Sequence, residues 1–451
     1  MNRSFIILLI LVSGLSSCRT ECPEVGLYVI DPGHFHAALV QKNMLDGVSD
    51  TVRVYASAGK ELDQYLMTMK SFSERKDDPV SWVQEVHSGE GYLEALPEEG
   101  NGNVVVLSGN NKDKSEYISL AVDKGYNVLT DKPMSISVSD FDRIVDAYEI
   151  AEKESLIIYD LMTERYDILN QITRMLLSDI GLFGAPDGSV APAVWMKSVH
   201  HFYKMVAGEP VVRPEWYYDV HQQGEGIADV TTHLIDLVFW QCFPEQPVRY
   251  EEDIVMTSSE HWPTLISKEM YAMSTGAEEY PEYLMPCVRD GILEVMSNGR
   301  LSFCVKGISV SMEVRWDFTP EEGKGDTFEA LYRGTKALIS VVQDTSTGFV
   351  KQLYVCPASG YEDDFMPRLQ SAMDRISDIY PFVSARPLDD GRYLVCVPVE
   401  ERLGHEEHFN KVAQTFLRYV RGEARMPEWE TANTLSKYYV TSQAVMLADE
   451  K

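Results

Sequence analysis

The sequence predicts an α/β protein in two parts: a doubly wound parallel sheet, followed by an α+β domain on a largely antiparallel, open sheet. Three observations carry this. Short apolar runs alternate with helix-spaced segments over residues 26 to 180. Val104–Leu107 and Asn127–Leu129 flank the helix-spaced run Lys114–Lys124, which closes at Gly125, so the three form a strand–helix–strand crossover. Later in the chain the pattern turns to period-two alternation, clearest over Gly291–Phe318.

The elements follow in order. Gly26–Ile30 is a strand; Asp31-Pro32-Gly33-His34-Phe35-His36 is a turn into a helical run that reaches Leu45. Thr51–Ala56 is a strand and Asp63–Ser73 a helix, while Val80–Leu96, polar and aromatic, yields no clear element. After the crossover come helix Asp140–Lys153, with Ser139 as its N-cap, strand Leu156–Tyr159 and helix Tyr166–Ser178, ending at Gly181. In the second part Val194–Val199 is strand-like and Ile227–Trp240 helical. Asn298-Gly299 reads as a hairpin turn, and Val310, Met312, Val314 and Trp316 line one strand face. Lys336–Gln343 and Arg392–Val399 add strands; His405–Arg421 and Thr431–Leu447 are helices. The chain thus divides into a leader at 1–18, a tether at 19–25, a first domain at 26–165 and a second at 166–451.

The 451 residues carry 40 basic against 70 acidic side chains, a formal charge of −30. That balance argues against nucleic acid and against anionic membrane surfaces as partners. At the N-terminus, Arg3 precedes an apolar stretch from Phe5 to Val12, too short to span a bilayer, and Leu15-Ser16-Ser17-Cys18 resembles a lipoprotein cleavage box. The expected address is the bacterial cell envelope, with the membrane reached only through a lipid on Cys18. The other six cysteines show no CxxC pair and no zinc spacing; they are buried thiols or disulfide partners.

Chemistry concentrates at strand ends. Ser108-Gly109-Asn110-Asn111 and Asp131-Lys132-Pro133 end the two crossover strands, where such sheets bind ligands. Gly33 sits where a strand–helix turn can cradle an anion, but the outer positions of a three-glycine fingerprint hold Asp31 and His36. The acid that would hold a ribose after the second strand is missing from Tyr55-Ala56-Ser57-Ala58-Gly59-Lys60. Ser57 and Lys60 are therefore candidates for a 2′-phosphate, unless the adenosine binds in another way. Gly224 to Asp236 places Asp229, His233 and Asp236 on one helical face, with Gly224 and Gly226 allowing close backbone approach. An acid one turn before a histidine orients it for proton transfer. The triplet has too few convergent ligands for a metal, and none is expected.

Together these segments resemble the glucose–fructose oxidoreductase, inositol dehydrogenase and rhizopine-catabolism (Gfo/Idh/MocA) family. Val104–Pro133 is similar to its strand, Thr-Pro-Asn-like loop, helix and Glu-Lys-Pro motif, with Asp131 in place of Glu; Gly224–Asp236 is similar to its Gly-Gly-Gly…Asp-x-x-x-His-x-x-Asp motif. Trp262-Pro263, Gly334-Thr335-Lys336 and Gly404-His405-Glu406 look like a lipoprotein branch of it.

The resemblance implies a Rossmann-like domain for NAD or NADP, with Gly33, His34, Phe35, Ser57, Ser108, Asn110, Asp131 and Lys132 toward the cofactor. It implies a carbohydrate substrate facing Lys132 and His233, His233 as base, and Asp229 near the same hydroxyls. Trp216, Tyr218, Asp236 and His201 are the further substrate candidates, with Tyr217 and His200 weighed beside them and with core aromatics and surface histidines as the plain alternatives; His405 and His408 read as a solvated helix face. A homodimer or larger homo-oligomer through the open sheet is expected by the same analogy. Export argues for a tightly held cofactor recycled in place, either between two sugars or within a redox-neutral glycosidase cycle. The reading from another class is a cofactor-free glycan-binding lipoprotein.

Overall fold

The computed structural model describes residues 24–206 and 209–450. The leader, Cys18 and most of the tether lie outside the described residues. Among the described residues no helix is long and apolar enough to cross a membrane.

The first domain is built on six parallel strands: β1 (Val25–Ile30), β2 (Val48–Ala56), β3 (Val83–Ser88), β4 (Val104–Leu107), β5 (Asn127–Thr130) and β6 (Ile158–Asp160). Their order is β3-β2-β1-β4-β5-β6, with Val29 paired to Val54 on one side and Val106 on the other. Every residue of β1, β4 and β5 is buried, because helices cover both sheet faces. Helix α1 (His36–Leu39) and α2 (Lys60–Glu74) take one face; α3 (Lys114–Asp123) and α4 (Val138–Glu154) take the other. The chain's last helices complete these layers: Phe409, Val412 and Phe416 join the α2 side, and Tyr438 joins the α4 side.

Three expectations change here. The unassigned stretch Val80–Leu96 contains the edge strand β3, whose residues are mostly exposed and so lack an apolar signature. The N-cap of α4 is Ser137, which accepts the Asp140 N–H; Ser139 lies inside the helix. The helix after Gly33 is four residues long and does not reach Leu45.

The second domain carries a ten-stranded, mostly antiparallel sheet. It begins with Ile254–Ile266, Ile292–Val305 and Ile308–Asp317; the last of these lies parallel to β7 (Val194–His201), and strands from Thr327 to Cys396 follow. Leu301, Phe303, Val310, Met312 and Ile339 face α5 (Ile168–Leu177) and α8 (Thr231–Cys242) in one core. Val310, Met312, Val314 and Trp316 are all buried, as their spacing predicts.

Asn298-Gly299 is not the hairpin turn. The turn is Lys306-Gly307, where φ is 49° and 82°, the paired left-handed geometry of tight hairpins. Asn298 sits mid-strand at an irregularity: its amide donates to Trp262 O (3.1 Å) and Thr264 Oγ1 (2.8 Å) and accepts from Trp316 N (2.8 Å). Cys242, Cys287, Cys304, Cys356 and Cys396 are free thiols.

Candidate active site

The carboxyl ends of β1, β4 and β5 open on a cavity of about 280 Å³, closed by the second domain. That is near the lower limit of small-molecule pockets, ~300 Å³. His34, Asp131, Lys132, Glu164, His200, Tyr217, Asp229, His233, Trp316 and His405 contribute to its wall.

Strand β5 delivers Asp131 and Lys132. The Lys132 ammonium pairs with Asp229 Oδ1 across the domain boundary. Asp229 ends the short helix α7 (Gly226–Asp229), which lies on the strand Ile292–Val305; a Cβ at Gly226 would stand 1.8 Å from Ser297 O. Glycine is required there for α7 to come close enough for the pair to form. Burial acts against the charge on both partners, yet Asp229 raises the Lys132 pKa and Lys132 lowers that of Asp229, so the pair is ionic.

His233 follows one turn on. Asp229 is committed to Lys132, so it does not orient His233 as the sequence suggested; among the described residues His233 Nδ1 has no hydrogen-bond partner. Burial, then the Lys132 charge, pushes the His233 pKa down to about 3. Its imidazole is a neutral proton acceptor at neutral pH. Glu164, held by Lys351 at 3.2 Å, faces the same space; Lys351 brings its pKa to about 2.

The opposite wall is Tyr217 and Trp316, with the Arg213 guanidinium 4.6 Å and 5.6 Å from their ring centres. His200 packs on Trp316, and Asp326 binds Lys204 and accepts from His201 Nδ1 at 2.8 Å. Aromatic faces with polar groups at their edge suit a polyhydroxylated ring.

The expected substrate residues land elsewhere. Among the described residues Trp216, Tyr218, His201 and Asp236 do not line this cavity. Trp216 donates to Glu61 Oε1 (2.7 Å), Tyr218 packs in a buried cluster with Phe202 and Tyr271, and His201 turns toward Asp326. Asp236 binds Arg165 and Lys437 while Asp229 binds Lys132, which disperses the triplet weighed above for a metal. Their neighbours Tyr217 and His200 take the cavity positions, a one-residue shift that chain pattern alone does not fix. His405 is exposed and contributes to the cavity rim, as a solvated face would allow, whereas His408 is buried, which corrects that reading for His408. Glu164, Arg213 and Asp326 were missed because their segments carry no motif.

Of the expected cofactor residues, His34, Phe35, Asp131 and Lys132 line the cavity. Ser108 donates to Asp131 Oδ2 (3.1 Å) and Asn110 to Gln222 Oε1 (2.8 Å); Ser57 is exposed beyond β2. Gly33 lies under the Trp216 ring.

The first turn does not fit a dinucleotide pyrophosphate. Three of its N–H groups are taken within the protein: Gly33 on Asp31 O (2.8 Å), His34 on Ser108 O (3.1 Å) and His36 on His34 Nδ1 (3.4 Å). A four-residue helix adds little dipole. Asp31 also stands here, with a pKa raised to about 6 by burial, then by Glu61 and Asp113. Such a turn repels an anion.

Asp31 makes a stability prediction. Its folded pKa exceeds its unfolded value of 3.8, so the ionised form is disfavoured; the cost is complete above about pH 6 and absent below about pH 4. Asn tolerates the left-handed φ of 49°. Asp31→Asn should therefore stabilise the fold at pH 8, by on the order of 2 kcal/mol. Denaturant melts should show that gain vanishing near pH 4; an equal gain at both pH values would refute the electrostatic cause.

Comparison with known proteins places this geometry. The family model described as "Putative oxidoreductase C terminal domain" matches residues 172–449. The crystal structure of a "putative oxidoreductase" from Parabacteroides merdae is 39% identical, superposes with a TM-score of 0.93, and covers 96% of this chain and 99% of its own. A 3-ketoreductase from Actinomadura kijaniata, in complex with NADP and TDP-benzene, shares the fold at 13% identity and a TM-score of 0.54, covering 94% and 98%. Levoglucosan dehydrogenase, in complex with NADH and levoglucosan, does so at 12% and 0.56, covering 95% and 98%. None of the curated proteins compared matches the chain. The two-domain fold is shared with these oxidoreductases.

Proposed function

We propose a function from one premise: this chain belongs to the oxidoreductase family defined by that C-terminal domain. It is an enzyme that interconverts a hydroxyl and a carbonyl on a carbohydrate-sized substrate, exported and lipid-anchored through Cys18. The observation that carries this is the cross-domain Lys132–Asp229 pair beside a neutral His233 in a cavity walled by Tyr217 and Trp316.

The proton half of the reaction follows from these residues. Lys132 binds the substrate oxygen and lowers the pKa of the hydroxyl. His233 accepts the proton. A histidine of pKa about 3 is a weak base, but the same ammonium that weakens it makes the hydroxyl more acidic, which narrows the gap. Asp229 fixes the lysine. NADP and NADH in the complexes of same-fold proteins support NAD or NADP as the hydride acceptor, recycled in place; the spent N–H groups of the first turn weigh against it, and the proton steps do not depend on it.

The test has two parts. Protein purified without added cofactor is denatured, and the supernatant is assayed for dinucleotide; near-stoichiometric NAD or NADP supports a captive cofactor. The pH profile of kcat/KM on oxidisable sugars should have its acid limb below pH 5, because His233 is a base above its pKa of about 3. His233→Ala should lower kcat by ~10²–10⁴. An acid limb near the ordinary histidine value, or turnover unaffected by the substitution, would remove His233 as the base.

A second reading, a cofactor-free carbohydrate-binding lipoprotein, is favoured by the blocked first turn. Sugar binding with neither dinucleotide release nor dinucleotide binding would select it.

A further inference from the structure

We infer that the first turn and the end of β5 form a site for a divalent transition-metal cation, with His34, His36 and Asp131 as its protein ligands and open positions toward the substrate cavity. The inference does not rest on the proposed reaction. It also gives the turn a purpose where a pyrophosphate does not fit.

The geometry comes from the chain. Asp31 adopts a left-handed φ of 49°, and Gly33 passes close to the backbone of Gly109 and Asn110. The turn so formed sends both His34 and His36 toward the end of β5. One ligand atom from each of His34, His36 and Asp131 lies within 4.8 Å of the other two. His36 Nδ1 is 2.8 Å and His34 Nδ1 3.6 Å from Asp131 Oδ2. Ligands about 2.0–2.2 Å from a common ion stand about 3.0–3.5 Å apart, so small adjustments seat the cation.

The ligands are also held in place. Phe409 packs on the His36 ring at 4.5 Å, and the His34 and His36 rings meet edge to face at 4.1 Å. Ser108 Oγ donates to Asp131 Oδ2 (3.1 Å), Lys132 N–H to Asp131 Oδ1 (2.9 Å), and Lys114 Nζ to the Asp131 carbonyl (3.0 Å). Outer contacts of this kind orient ligating groups. All three ligands line the cavity that also holds Lys132, His233 and His405. His405 stands across from His36, ring centres 5.7 Å apart.

Two imidazoles and one carboxylate suit Zn²⁺, Mn²⁺ or Fe²⁺, and three protein ligands with an open side are the arrangement of a catalytic metal. A substrate hydroxyl or carbonyl oxygen would take the open position, beside the Lys132 ammonium.

The test is a titration of the full chain, stripped with chelator, using Co²⁺ by visible absorption and Zn²⁺ by calorimetry. One equivalent should bind in the micromolar range or tighter. His34→Ala, at a position partly open to the cavity, should weaken binding by at least ~100-fold with an unchanged circular dichroism spectrum, and Ser108→Ala by ~10–100-fold. If His36→Ala or Asp131→Asn misfolds, the His34 variant still decides the question. No binding at millimolar metal, or affinity untouched by His34→Ala, would overturn the site. Protein that releases dinucleotide but binds no metal would overturn it and leave the proposed function standing.

Discussion

Lys132→Met should abolish turnover, by ~10³ or more, and should also weaken the fold. The two effects have separate causes. Turnover is lost because Lys132, the cation paired with Asp229, is also the group placed to hold the substrate oxygen. Stability is lost because Asp229, 4% exposed, keeps a buried carboxylate without its partner. Removing one member of a buried pair costs about 3–5 kcal/mol. The double variant Lys132→Met/Asp229→Asn removes the orphaned charge, so its melting temperature should recover much of the loss while turnover stays at background. Recovery of turnover in the double variant would show that Lys132 acts through Asp229 alone. Wild-type turnover in the single variant would remove Lys132 from the chemistry.

Asp236→Ala should cost the fold about as much, on the order of 3–5 kcal/mol, with no specific effect on catalysis. Asp236 receives two bonds from Arg165 (2.7 and 2.6 Å) and one from Lys437 (3.1 Å); Arg165 also binds Glu430 (2.7 Å), and Lys437 binds Asp160 (2.7 Å). Lys437 is fully buried. Burial opposes ionisation of Asp236, but Arg165 and then Lys437 hold its pKa at about 2. Its loss leaves Arg165 with Glu430 alone and Lys437 with Asp160 alone, an under-compensated buried cluster. Denaturant unfolding of the variant, with kcat measured on the fraction that remains folded, separates the roles. A stable Asp236→Ala protein with a raised KM would return Asp236 to the substrate, where the sequence motif had placed it.

The contrast between Asp229 and Asp236 shows how far the sequence reaches. Helical spacing put both on one face with His233, and the motif suggested one role for all three. Asp229 meets Lys132 of the first domain while Asp236 meets Arg165 and Lys437 of the last helix. Spacing counts turns; it does not see which distant cations pack against each turn. The same limit explains the exchange of Trp216 and Tyr218 for Tyr217, and of His201 for His200. Neighbouring residues on a short turn or strand differ in which side they face, and the packing partners that decide this, Glu61, Phe202 and Asp326, are distant in sequence.

The sequence by itself determined the parallel sheet and the mostly antiparallel second domain, and it picked out Asp131-Lys132 and Asp229 through His233, which line one cavity. These are local: apolar runs buried on both faces must be interior strands, and polar groups at their carboxyl ends must face a crevice. Only the tertiary structure decided that His34 and His36 converge on Asp131, that His405 comes back to the same cavity, and that the first turn spends its N–H groups internally. The first two depend on segments about 95 to nearly 370 positions apart, which approach because burying the sheet's apolar faces brings His405–Val420 down over β1.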